Sequence, residues 1–144
     1  MSNSPTITDA EWQVMHEVWH LQAQHGDAQS REIIDRLVDI TDWSDGTVKT
    51  LLHRLVQKGI LEFRRKGNRY LYRSTLSEQE CVDQVCANLL HTVFRGRPIS
   101  MLHYLVHSSR LSGSEVEALK SELQELQDSM PPVAPRKSTR DKAA

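Results

Sequence analysis

Three amphipathic helices, a basic β-hairpin and then three more helices predict a mainly α chain with a small β wing. The architecture expected is an N-terminal winged helix-turn-helix followed by a C-terminal helical dimerisation domain. Two stretches carry this. Ser44 is a helix N-cap, and Val48, Leu51, Leu52 and Leu55 follow it at the i, i+3, i+4, i+7 spacing of one buried stripe. Directly after, residues 61–65 and 69–73 are strand-like, with aromatics at Phe63, Tyr70 and Tyr72, and Lys66-Gly67-Asn68 between them suits a turn needing positive φ. Charge agrees. Residues 44–73 hold eight Lys/Arg against Asp45 and Glu62, a window of +6 in a chain of net charge −1, which leaves −7 for the remainder. A slightly acidic chain with one basic helix face and hairpin tip presents that segment to phosphates. A merely solvated basic face is the bland alternative.

The elements follow in order. Thr8-Asp9-Ala10-Glu11 is a capping box, with Ile7 placed to staple against Trp12; Trp12, Met15, Val18 and Trp19 form the first stripe, and His25-Gly26-Asp27 ends it. Ser30 is expected to cap a second helix with Ile33, Ile34, Leu37 and Val38 buried, broken at Thr41-Asp42. The third helix stops at Gly59. Beyond the hairpin, Ser77-Glu78-Gln79-Glu80 is another capping box, opening a helix with Val82, Val85, Cys86, Leu89, Leu90 and Val93 apolar and ending at Gly96 and Pro98. A short apolar helix through Met101, Leu102, Leu105 and Val106 follows, then Ser112 to Glu115 caps a last helix carrying Val116, Leu119, Leu123 and Leu126. Helices of this size bury little alone, so packing against a second copy is expected, through Val82, Val85, Leu89, Val93, Leu102, Leu105, Leu119 and Leu123. The domains expected are therefore 1–76, the DNA-binding winged helix; 77–129, dimerisation; and 130–144, a Pro-rich disordered tail.

At 144 residues the chain holds one ordinary domain, or a small one plus an oligomerisation element. No apolar run approaches the ~20 residues that span a bilayer, and MSNSPTIT has neither the basic nor the apolar part of a signal peptide. A cytoplasmic protein is expected, without membrane partner or cofactor. Cys81 and Cys86 do not make a disulfide framework; five apart, they lie about 140° around a helix and cannot chelate one ion from it.

With ITDAEWQVMHEVW at the start, DWSDGTVKTLLHRLVQKG in the third helix and GNRYLYRSTLSEQE after the wing, the chain resembles the penicillinase-repressor family over residues 7–126. Its branches include β-lactamase and methicillin-resistance repressors and the copper-responsive CopY repressors. The resemblance implies a homodimeric repressor on a palindrome of TACA and TGTA half-sites, controlling a resistance or stress operon. It places recognition-helix contacts on Gly46, Thr47, Lys49, Thr50 and Arg54, with Gly46 departing from the basic residue some members carry. Thr side chains suit base edges and thymine methyls, and Lys49 and Arg54 suit guanine or phosphate. Wing residues Arg64, Arg65, Lys66, Asn68 and Arg69 are placed for phosphate or minor-groove contact. Copper-responsive members carry CxCxxxxCxC near the C-terminus, whereas the last helix and tail here have no cysteine. In members inactivated by a protease, the cleaved Asn-Phe bond precedes a V-[YF]-[KR]-G segment. Here that segment is Val93-Phe94-Arg95-Gly96 and the matching bond is Asn88-Leu89, with Leu in place of Phe.

Two other motifs compete. His16-Glu17-Val18-Trp19-His20 matches HExxH, in which two His bind zinc and the Glu activates water, so a zinc hydrolase using His16, Glu17 and His20 is the alternative from another class. The helix bearing it carries the stripe of a helical core, and exposed histidines are the default reading. His103 and His107 repeat the i, i+4 spacing without the Glu and are discounted as a metal site in the same way, so no metal-ligating or catalytic residue is expected. A winged-helix interaction module indifferent to DNA sequence is the third reading.

Overall fold

The computed structural model describes residues 6–131; the expected tail lies outside the described residues from 132 onward. Among the described residues six helices and three short strands form in the order α1 (Asp9–His25), β1 (Ala28–Gln29), α2 (Ser30–Ile40), α3 (Asp45–Gln57), β2 (Leu61–Lys66), β3 (Arg69–Ser74), α4 (Glu78–Thr92), α5 (Pro98–Ser108) and α6 (Gly113–Ser129). The mainly helical class with a small wing, a winged helix ahead of a helical C-terminus, is as the sequence predicts.

Thr8 caps α1 in a complete capping box with Glu11, and Gly26, at φ +89°, ends the helix where a side chain would be strained. The core face of α1 is Val14, Met15, Val18 and Leu21, packed against Ile33, Ile34 and Leu37 of α2 and Val48, Leu51, Leu52 and Leu55 of α3. Trp12 and Trp19 are half-buried, not core as expected. Trp12 stacks with His16 and Trp19, and Trp19 donates its indole N–H to the Leu76 carbonyl at 3.2 Å. An aromatic at the edge of a helix stripe covers the core with its face while its N–H finds a polar partner.

Three local expectations need correction. Gln29, extended and without a side-chain cap bond, occupies the N-cap of α2 in place of Ser30, because residues 28–29 are drawn into β1. Val38 is exposed, since Ile33, Ile34 and Leu37 already fill the face turned to the core. The sheet has three strands in the order β1-β3-β2, not two, with Ala28 opposite Tyr72 and Gln29 opposite Leu71. The hairpin pairs Leu61 with Ser74 through to Lys66 with Arg69, so its turn is Gly67-Asn68 with positive φ at Gly67.

By its contacts the chain divides into two units, Met1–Leu89 and Leu90–Ala144. The start of α4 thus belongs with the winged helix, where Ser77 and Glu80 close the expected capping box and Cys81 is buried. Helix α4 ends at Thr92, earlier than expected, before Arg95 and Gly96, both at positive φ; Pro98 does not end it but opens α5, where its missing N–H costs nothing. Ser112 and Glu115 cap α6 reciprocally.

Candidate nucleic-acid interface

Because Val48, Leu51, Leu52 and Leu55 fix one side of α3 to the core, the helix has no freedom in what it shows outward. Gly46, Thr47, Lys49, Thr50, His53 and Arg54 are all exposed. Ser44 accepts the Thr47 N–H at 3.2 Å, and the Thr50 hydroxyl donates to the Gly46 carbonyl at 2.9 Å. With its donor spent, Thr50 offers a base an acceptor and a methyl group. Gly46 lies outside the left-handed region, and an added Cβ would meet nothing closer than Ser44 Oγ at 3.8 Å. The fold therefore does not require glycine there, although glycine costs a helix about 0.5–1 kcal/mol.

The position of α3 is braced from α2. Arg31 bridges Asp35 at 2.8 Å and Asp45, the first residue of α3, at 3.2 Å. On the wing, alternation along paired strands separates two faces. Phe63, Arg65, Tyr70 and Tyr72 share one, with Phe63 against both tyrosines and the Arg65 guanidinium 5.8 Å from the Tyr70 ring centroid. Arg64, Lys66, Arg69 and Arg73 share the other with Glu62 and Leu71.

Ion pairing sorts the eight cations of the basic window into two groups. Lys58 turns inward to the buried Glu11 and also donates to the Thr6 carbonyl. Burial alone raises the Glu11 carboxyl, but the bonds from Lys58 and Thr8 outweigh it and hold it below the ordinary value. Arg64 and Arg73 both bond Asp27, at 3.1 and 3.0 Å, and the Arg73 hydrogen bond foremost keeps that carboxyl low. Lys49, Arg54, Arg65, Lys66 and Arg69 make no ion pair among the described residues. All five are among the residues singled out from sequence; Arg64, also singled out, is partly committed to Asp27.

Between α3, the wing tip and the start of α2 lies a cleft of about 240 Å³ whose lining includes Lys49, Asn68, Arg69, Gln29, Arg31 and Tyr70. It joins Lys49 of the helix to Asn68 and Arg69 of the wing. Gln29, Arg31 and Tyr70 were not candidates in the sequence. Gln29 and Arg31 flank the start of α2, and only the position of β1 against β3 brings them to this face.

The groups a zinc hydrolase would need are engaged elsewhere. Glu17 is ion-paired with Arg36 at 2.5 Å, His16 faces Glu78 at 3.5 Å, and His20 bonds Gln24 at 3.2 Å. No cluster of three or more His, Cys, Asp or Glu able to hold a metal occurs among the described residues. Burial, and after it the Glu80 charge, pushes the Cys81 thiol up, so Cys81 behaves as a small apolar residue, while Cys86 is exposed.

A helix held by its apolar face, with polar and cationic residues outward beside a cationic hairpin, defines a winged-helix DNA-binding domain. The family model described as penicillinase repressor matches residues 7–125, and the chain belongs to that family, one of DNA-binding repressors and not of enzymes. An uncharacterized 16.5 kDa protein of Latilactobacillus sakei is 34% identical over 94% of this chain and 87% of its own length. The penicillinase repressor of Bacillus licheniformis is 30% identical over 87% of this chain and 94% of its own. The solution structure of the DNA-binding domain of the repressor BlaI, 32% identical, covers 56% of this chain and 93% of that one, with a TM-score of 0.47.

Proposed function

We propose that the chain acts in the cytoplasm as a homodimeric repressor on a palindromic operator of TACA and TGTA half-sites, governing a resistance or stress-response operon. The observation that carries this reading is the sorting of the eight cations of residues 44–73: those without an acidic partner among the described residues lie on the outer face of α3 and on the wing. Gly46, Thr47, Lys49, Thr50 and Arg54 read base edges in the major groove, while Arg65, Lys66, Asn68 and Arg69, with the half-committed Arg64, hold phosphates. Gly46 leaves room for the DNA to approach the start of the helix.

Dimerisation falls to residues 77–129. Val85 and Leu89 of α4, Val93 just after it, Leu105 of α5 and Leu123 of α6 are exposed in the single chain, and Val82, Leu102 and Leu119 are half-exposed. Apolar side chains in that number need a cover, and a second copy supplies one. No helix among the described residues is long and apolar enough to cross a membrane.

Release follows from cutting Asn88-Leu89. Asn88 is exposed, and its carboxamide accepts from Gln84 at 3.3 Å. The bond is internal to α4, so a protease needs local unwinding. An open cleft of about 620 Å³, lined by Ile7, Ile60, Leu76 and Asn88 among others, runs beside this part of α4 and leaves it less packed there, which favours such unwinding. The test is to insert a foreign protease site across Asn88 and Leu89, cleave, and measure operator affinity with both fragments present. Cleavage should abolish tight binding, because two half-sites are held together only through the dimer. Retained affinity would refute this release route.

A further inference from the structure

We infer that His103 and His107 on α5 form a surface site for one late first-row divalent ion, of the class of Zn²⁺, Ni²⁺ or Cu²⁺, with solvent completing its coordination. The two rings lie on successive turns of the helix, both exposed, their centroids 4.2 Å apart and their planes inclined at 43°. Imidazole nitrogens each about 2 Å from a shared ion put the ring centroids about 4.5–5 Å apart. The observed centroid separation is within about 1 Å of that, and rotation of the two exposed rings about χ1 and χ2 on a fixed helix turns one nitrogen of each toward a shared ion. Imidazole is a ligand all three ions accept.

The other histidine pair of the same spacing is a built-in contrast. His16 is stacked 5.5 Å from Trp12 and faces Glu78, and His20 is bonded to Gln24, so those rings are committed to separate partners. Neither His103 nor His107 enters a hydrogen bond or ion pair among the described residues. At about 100° per residue, they lie roughly 150° around α5 from Leu102 and Leu105. A second copy packed on that apolar stripe would leave the site open to solvent. The ion cross-links one turn of α5 and adds its binding free energy to the folded state.

The experiment is titration of the full-length, untagged protein with Ni²⁺ and Zn²⁺ by calorimetry, in a Cys86→Ser background so that the exposed thiol does not compete. Ring proton resonances are followed in parallel. The expected result is one ion per chain, selective Ni²⁺ broadening of the His103 and His107 rings, and a roughly hundredfold loss of affinity in His103→Ala or His107→Ala as the second arm of the chelate is lost. His16→Ala should bind as the parent does. Unchanged binding in the His103→Ala/His107→Ala double variant, or no binding by the parent, overturns the inference. Neither readout involves DNA, so this site and the repressor reading fail independently.

Discussion

Lys58 sits in the basic window that points to DNA, yet its ammonium is turned into the domain, and Lys58→Met separates the two roles. Glu11 is 1% exposed and Lys58 29% at the side chain, so removing the ammonium strands a carboxylate in the core. Breaking one partner of a buried pair costs about 3–5 kcal/mol. Glu11 keeps its bond from the Thr8 N–H at 2.9 Å, so about 3 kcal/mol, the lower end, is expected. Glu11→Gln/Lys58→Met should recover part of this, because no charge is then left unpaired. The pH dependence has a definite sign. The folded Glu11 carboxyl is held below its ordinary value of 4.5, so its contribution is present above that pH and is lost as pH falls through the lower folded value. The gap between wild type and Lys58→Met should therefore narrow on acidification. Urea unfolding at several pH values measures this, and the salt dependence of DNA binding is measured on the same proteins. A salt slope about one unit shallower in Lys58→Met, with stability unchanged, would show that Lys58 contacts phosphate and that the internal pair is misassigned.

Lys49→Ala and Arg54→Ala should each cost on the order of 1–3 kcal/mol on a TACA/TGTA duplex wherever a base contact is lost, read by fluorescence anisotropy. Arg65→Ala and Arg69→Ala should weaken specific and random DNA alike and flatten the salt slope by about 0.9 per lost phosphate contact; unchanged slopes would count against the wing assignment. Asp27→Asn releases Arg64 and Arg73, so binding to random DNA should tighten with a steeper salt slope, and a slope equal to wild type would mean that neither arginine reaches DNA. Gly46→Ala should raise stability by about 0.5–1 kcal/mol in thermal unfolding while weakening operator binding, and undiminished affinity would remove Gly46 from the interface. Truncation after Leu76 should give monomers in sedimentation; a persistent dimer would place the dimer contacts within the winged helix.

The recognition helix was legible because its signals are local and mutually consistent: a cap at Ser44, a stripe ending at Leu55, and cations on the faces left over. The hairpin was legible for the same reason, its register following from the turn at Gly67. Strand β1 was not, since two residues are too few for an alternating pattern, and Ala28 becomes a strand residue only when Tyr72 is opposite it. The fate of individual charges was equally hidden. Nothing in the sequence near Lys58 points to Glu11, 47 positions away, and Asp27 reads as a helix terminus until β3 brings Arg73 beside it. The cleft residues Gln29, Arg31 and Tyr70 escaped for that reason too, being assembled by tertiary packing and not by spacing.

Sequence-specific recognition through the outer face of α3 is tested most directly by a competition measurement. Full-length protein bound to a labelled TACA/TGTA palindrome is displaced by unlabelled palindrome, or by a scrambled duplex of equal length and composition, at a fixed physiological salt concentration. The palindrome should compete at least about a thousandfold better, the lower bound for specific DNA recognition, with two chains per duplex. Equal competition by the scrambled duplex would contradict the reading and leave a basic module that holds phosphates without reading sequence.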